Sequence, residues 1–183
     1  MAVTWRRTTS LAKPGLSWGA TRIYQSKDRG ETWTQIASFT PATWGSLFWH
    51  AGALYHMAFT GDPGSVVMRR SSDHGRTWTE PKDAESGVLF TGGYHSAPVP
   101  VVVHNGRIWR AAEEIVNDLK WPRHFEAVML SAPADGDLLE AANWTRSSGV
   151  VFDAEWLPGR RPGWLEGNAV VTPEGNLVNM LRG

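Results

Sequence analysis

One eight-residue pattern occurs twice, as Ser26-Lys27-Asp28-Arg29-Gly30-Glu31-Thr32-Trp33 and as Ser71-Ser72-Asp73-His74-Gly75-Arg76-Thr77-Trp78, and both copies read S-x-D-x-G-x-T-W. Each copy specifies a turn. The Asp side chain accepts hydrogen bonds from turn amides, the Gly takes a backbone angle that is costly for other residues, and the Trp anchors the returning strand. Asp28 and Asp73 stand 45 residues apart, within the roughly 40–45 residues of a four-stranded repeat unit. A degenerate third copy runs from Ser131 through Asp135, Gly136 and Asp137 to Asn143, Trp144 and Thr145, lengthened by insertion.

A second repeat interleaves with the first. Leu47 to Tyr55, Val101 to Trp109 and Ala169 to Val178 each read as a β-run, a Gly-containing turn and another β-run. Hairpin, connector, strand, turn and strand give four strands per unit, which is a propeller blade. On this reading 21–39 is the second half of one blade and 43–79 is a complete one. The blade at 94–145 carries insertions, and 166–182 opens a further blade. The expectation is an all-β chain, about three blades of an incomplete propeller, since roughly four to eight blades close the ring. Eleven Trp and 19 Gly fit many tight turns plugged by aromatic rings better than long amphipathic helices.

Lys+Arg and Asp+Glu both number 18, so there is no basic surplus for a phosphate backbone and no nucleic-acid partner is expected. No Cys is present, which excludes disulfides and thiolate metal sites. The six His are scattered without ligand spacing, and no metal or other cofactor is expected. The first 20 residues lack an apolar run long enough for a signal-peptide core, and nothing later approaches a membrane span. Oligomeric state is not legible.

The repeated turn resembles the Asp box, or bacterial neuraminidase repeat, of the sialidase superfamily. In a four-stranded blade the Asp-box turns and Gly turns share one face of the disc, and the 2–3 loops and blade linkers share the other. The long segments 113–124 and 146–165 fall on that second face, so binding is expected there. Glu166 and Arg182 each lie eight residues from Glu174, the centre of the last hairpin. Regular pairing makes them cross-strand neighbours at its open end, either as an ordinary ion pair or as functional groups.

The segment from Trp164 to Arg182 resembles a sialidase segment in which a Glu opens an inner strand and an Arg closes the next. The resemblance implies that Glu166 acts as base for a tyrosine nucleophile. It also implies that Arg182 is one of three arginines clamping a sugar carboxylate, with Asn168 among the substrate contacts. An Asp would protonate the leaving group. The general-acid Asp, the other clamp arginines and the nucleophilic Tyr have no counterparts in the chain. Arg22-Ile23-Tyr24 enters the first turn and is not assigned as a clamp. The expected partner is therefore an acidic glycan, acted on by the complete protein and not by this chain alone. Family resemblance suggests a secreted or periplasmic location.

A second cluster, expected at the rim of the binding face, joins the catalytic candidate His95 to Tyr94, Arg110, Glu113 and Glu114 as candidate substrate contacts. Hairpin symmetry about Asn105 pairs Ala97 with Glu113 and sets His95 near Glu114 and Ile115, as a proton shuttle or as a satisfied structural His. Ulvan-lyase-like propellers motivate an elimination reading, in which His95 or Tyr94 removes the proton beside a uronate and Arg182 neutralises its carboxylate. A non-catalytic Asp-box propeller for carbohydrate or protein binding is the third reading. Trp33, Trp78 and Trp144 are expected to pack between blades, and Trp44, Trp121, Trp156 and Trp164 are open to sugar stacking or edge packing.

Overall fold

The computed structural model describes residues 2–5, 19–117, 124–156 and 163–183; Trp121 lies outside them. The chain is all-β and its sheets are antiparallel. Strands β1 (Ala2–Trp5), β2 (Thr21–Gln25) and β3 (Thr34–Phe39) form a three-stranded sheet. Strands β4 (Thr43–His50), β5 (Ala53–Phe59), β6 (Gly64–Ser71) and β7 (Val88–His95) form a meander in which sequence neighbours are sheet neighbours. A second meander holds β8 (Val102–His104), β9 (Arg107–Ile115) and β10 (Phe125–Pro133), with the short strands β11 (Thr145–Arg146) and β12 (Val150–Val151) both on β10. β13 (Leu165–Val171) and β14 (Leu177–Arg182) make a final hairpin. Short 3-10 turns occupy Ala141–Asn143 and Ala154–Trp156. Among the described residues no helix is long and apolar enough to cross a membrane.

Burial explains why the meanders hold together. Every residue of β5 is buried, because this strand is flanked by β4 and β6 and covered on both faces. Met57, Phe59, Val66 and Met68 join Ile108, Val128 and Leu130 in one core spanning both meanders. Each fully buried side chain of this size contributes about 1.5–3 kcal/mol relative to exposure.

The two repeated turns adopt the same geometry. Gly30 and Gly75 donate their N–H groups to Ser26 Oγ and Ser71 Oγ at 2.7 and 2.8 Å. Thr32 and Thr77 donate theirs to Asp28 and Asp73 Oδ1, both at 2.9 Å. Trp33 and Trp78 close each loop by donating Nε1–H to the Gly30 and Gly75 carbonyls. The glycines stand at φ 97 and 90°, the left-handed region that penalises a Cβ. Trp78 also packs edge-on against Phe39 of the neighbouring sheet, and Trp144 is buried, whereas Trp33 is 42% exposed. The lengthened third segment closes differently, with Trp144 Nε1 donating to the Leu138 carbonyl and the Asp137 carboxylate accepting the nearby Leu139 amide and pairing with Arg70.

Hydrogen bonds from the Thr77 amide, then the Thr77 and Ser71 hydroxyls, hold the Asp73 carboxyl well below the usual carboxylate range. Asp28 is held at about 2 by the Thr32 hydroxyl first. A lowered carboxylate pKa stabilises the fold above the unfolded value near 3.8 and ceases to do so as pH falls through the lowered one. Asp73→Ala is expected to lower the thermal midpoint at pH 7 and to narrow the difference between pH 7 and pH 2, as followed by circular dichroism. An unchanged midpoint would show that the turn does not need its acceptor.

Candidate functional site

The open ends of the strands gather the site residues. In the last hairpin Val170 pairs with Val178 and Asn168 with Met180, a ladder centred on Glu174 as the sequence implies. The register then shifts, so that Leu165, not Glu166, stands opposite Arg182. Glu166 is the bulged residue, at φ 58°. A non-glycine residue held in that region costs about 1–3 kcal/mol and persists only where its surroundings impose it. The bulge swings its carboxylate across to Arg182: Nε donates to Oε2 at 2.9 Å and Nη2 to Oε1 at 2.8 Å, a bidentate pair. The side chains are 36% and 58% exposed, so the pair faces outward and the Nη1 edge of Arg182 has no hydrogen bond among the described residues.

Behind this pair lies a buried carboxylate. Glu113 is fully buried, and its Oε1 accepts the Gly167 N–H at 2.9 Å. Burial raises its pKa, opposed first by the Gly167 amide and then by nearby His95. His95 stands opposite Glu113 and Tyr94 opposite Glu114, which corrects the expected placement of His95 beside Glu114 and Ile115. The cause is Pro98 and Pro100, which cannot donate to a ladder. Regular β8–β9 pairing ends at Val102, and the chain rejoins β9 only at His95, out of step with the turn.

His95 Nδ1 lies 2.7 Å from Asp62 Oδ1 in the β5–β6 connection, and its ring meets Trp44 edge-on and stacks on Phe125. Tyr94 donates its hydroxyl to Glu114 Oε1 at 2.9 Å; Glu114 in turn pairs with Arg146, which also pairs with Glu126. Burial, then the Glu114 bond, push the Tyr94 phenol above its ordinary range, so it is held protonated.

Arg110 departs most from its expected place. As a substrate-contacting residue it was expected on the rim, but it is fully buried beneath it. Its guanidinium donates to Ser46 Oγ and to the carbonyls of Trp44 at 2.8 Å, Ala97 at 3.2 Å and Val99 at 3.3 Å. Glu113 is likewise interior. Glu114, Glu166 and Arg182 keep solvent access, and Asn168 is partly buried beside them on β13. Asp62 and Arg146 were not foreseen. Only the neighbours they acquire from distant strands distinguish them from other loop charges. Phe152, Trp156 and Trp164 form an aromatic group in which Trp156 is 55% exposed. Among the described residues no group of three His, Asp or Glu could hold a metal ion.

No family model matches the sequence, and no curated protein does. Among solved structures the chain is similar to the sialidase of Trypanosoma rangeli, with a TM-score of 0.58 and 14% identity over 88% of this chain and 25% of that one. It is also similar to an alpha-L-arabinofuranosidase from Lactobacillus brevis, with a TM-score of 0.54 and 18% identity over 90% of this chain and 56% of that one. At this identity the likeness shows the fold, which is that of sialidase-like propellers. The chain spans about a quarter of the first neighbour's length and about half of the second's.

Proposed function

We propose that the chain is part of a sialidase-like propeller acting on an acidic glycan, as an exo-glycosidase with retaining chemistry in the complete protein. The two meanders are two blades, and the sheets at either end are parts of two further ones, which together amount to about three blades. The observation that carries the reading is the bidentate Glu166–Arg182 pair, outward-facing and built on a left-handed bulge. A bulge next to a rim carboxylate re-aims a side chain, which a scaffold does not require. Arg182 holds its Nη1 edge toward a substrate carboxylate, while Glu166 fixes the guanidinium and takes the proton of a tyrosine nucleophile supplied outside the chain. The neighbours, a sialidase and an arabinofuranosidase, are both sugar hydrolases.

In the complete protein Glu166→Gln is expected to lower kcat on an aryl sialoside by about 10²-fold, the lower end for removing a general base, with the fold retained. Unchanged turnover would remove Glu166 from the chemistry.

The Asp62–His95 pair favours one second reading, elimination from a uronate with His95 as base. Tyr94, held protonated, suits donation better than proton removal. Products absorbing in the ultraviolet as unsaturated uronates would identify that reaction, and saturated products would reject it.

A further inference from the structure

Glu113 is the residue of β9 whose surroundings the proposed chemistry leaves unexplained. Its carboxylate is fully buried, yet its neighbour in space is the backbone of another hairpin: Oε1 accepts the N–H of Gly167, the residue that follows Glu166 in the bulge, at 2.9 Å. A buried amide turned inward beside a left-handed residue requires an acceptor there. The bulge is also enclosed from its other side. A Cβ on Gly167 would stand 2.9 Å from Asn179 Oδ1 and 3.0 Å from Ala111 Cβ, so the backbone lies against β9 with no room for a larger residue.

We infer that Glu113 is a positioning residue: its buried carboxylate captures the amide of Gly167 and so fixes the left-handed bulge that turns Glu166 onto Arg182. Without an acceptor there, the Gly167 amide would be left unpaired in the interior, and residue 166 would relax to an ordinary extended conformation. Its side chain would then leave the Arg182 side of the hairpin, because the bulge alone corrects the one-residue shift that sets Leu165 opposite Arg182. Glu113 touches no substrate on this account. It acts through the geometry of the pair, and the inference rests on the reading of Glu166 and Arg182 as the substrate-facing groups.

Two variants of the full chain test it, Glu113→Gln and Glu113→Leu, with hydrogen exchange at Arg182 Nε measured by NMR and Glu166 φ read from crystal structures. The Gln side chain keeps an oxygen acceptor for Gly167, so exchange is expected to stay within about twofold of the parent protein, and φ is expected to stay positive. The Leu side chain has none, so exchange is expected to accelerate by about tenfold or more as local protection is lost, with Glu166 at negative φ. The Thr77 amide serves as a fold control.

A folded Leu variant with unchanged exchange and φ would overturn the inference. Should the Leu variant fail to fold, the Gln structure decides. A substituted side chain turned away from Gly167 beside an intact Glu166–Arg182 pair overturns the inference, and one still bonded to Gly167 supports it. Glycoside turnover by the complete parent protein is a separate arm. Its absence discards the catalytic reading and leaves the anchoring of the bulge standing on the exchange data.

Discussion

Arg110→Met is expected to lower the unfolding free energy by about 3 kcal/mol or more, since each interior acceptor left without its donor costs about 1–3 kcal/mol. The guanidinium fills a fully buried site, and its planar fork reaches carbonyls on two segments, Trp44 on β4 and Ala97 and Val99 in the link between β7 and β8. Its face also lies over the Phe59 ring, with Cζ 5.4 Å from the centroid. Methionine matches much of the volume but offers no donor, so these carbonyls and the Ser46 hydroxyl would be left facing an apolar side chain. The prolines of the link make the loss worse, because Pro98 and Pro100 cannot supply ladder hydrogen bonds in compensation. Lysine keeps the charge but not the fork, and Arg110→Lys is expected to recover only part of the loss. Urea unfolding followed by tryptophan fluorescence measures both variants, and a Met variant within about 0.5 kcal/mol of the parent, the size of a neutral surface change, would show that the link holds without its staple.

The second large effect is on acid stability, and it centres on His56. This side chain is fully buried on β5, and among the described residues neither ring nitrogen has a hydrogen-bond partner. It is enclosed by Phe39, Trp78 and the backbone of Gly45, where a Cβ would overlap the ring. Burial first, then the positive charges of Arg69 and Arg110, push its pKa down to about 3. An unfolded histidine titrates near 6.5, so between these values the unfolded chain binds the extra proton and gains on the folded one. Stability from this group is therefore complete above about pH 6.5 and is lost as pH falls. The slope approaches about 1.4 kcal/mol per pH unit, giving a loss of about 2 kcal/mol between pH 7 and pH 5. His56→Leu removes the titration along with two unmade hydrogen bonds. It is expected to match or exceed the parent protein at pH 7 and to surpass it clearly at pH 5. Parallel urea midpoints for the two proteins at pH 7 and pH 5 would refute the assignment of the acid sensitivity to His56.

Both effects arise from buried polar groups, and the candidate site rests on another. The outward Glu166–Arg182 pair rests on Glu113, which comes from β9 in a different hairpin. Rim chemistry and core packing thus share one strand: Arg110 secures the link to the preceding meander, and three residues later Glu113 secures the hairpin that follows.

Sequence alone determined the features whose bonds close within a few residues. The turns at Asp28 and Asp73 are set by contacts two to four residues long, so an eight-residue pattern suffices to specify them. The last hairpin is similar: a short Gly turn fixes the register around Glu174, and the meeting of Glu166 with Arg182 was legible by counting, although the bulge that brings it about was not. Tertiary structure alone decided the rest. The same counting failed around Asn105, because two prolines interrupt the ladder and nothing local says where pairing resumes. The interior position of Arg110 had a signal, since it alternates with Ile108 and Ala112 on one face of β9, but its acceptors lie as far as 66 residues away. Asp62 with His95, and Arg146 with Glu114, are likewise joined across 33 and 32 residues. The physical reason is common to all of them. A local hydrogen bond is specified by the residues that make it, whereas a buried charge takes whichever partners the packing of whole strands brings within reach.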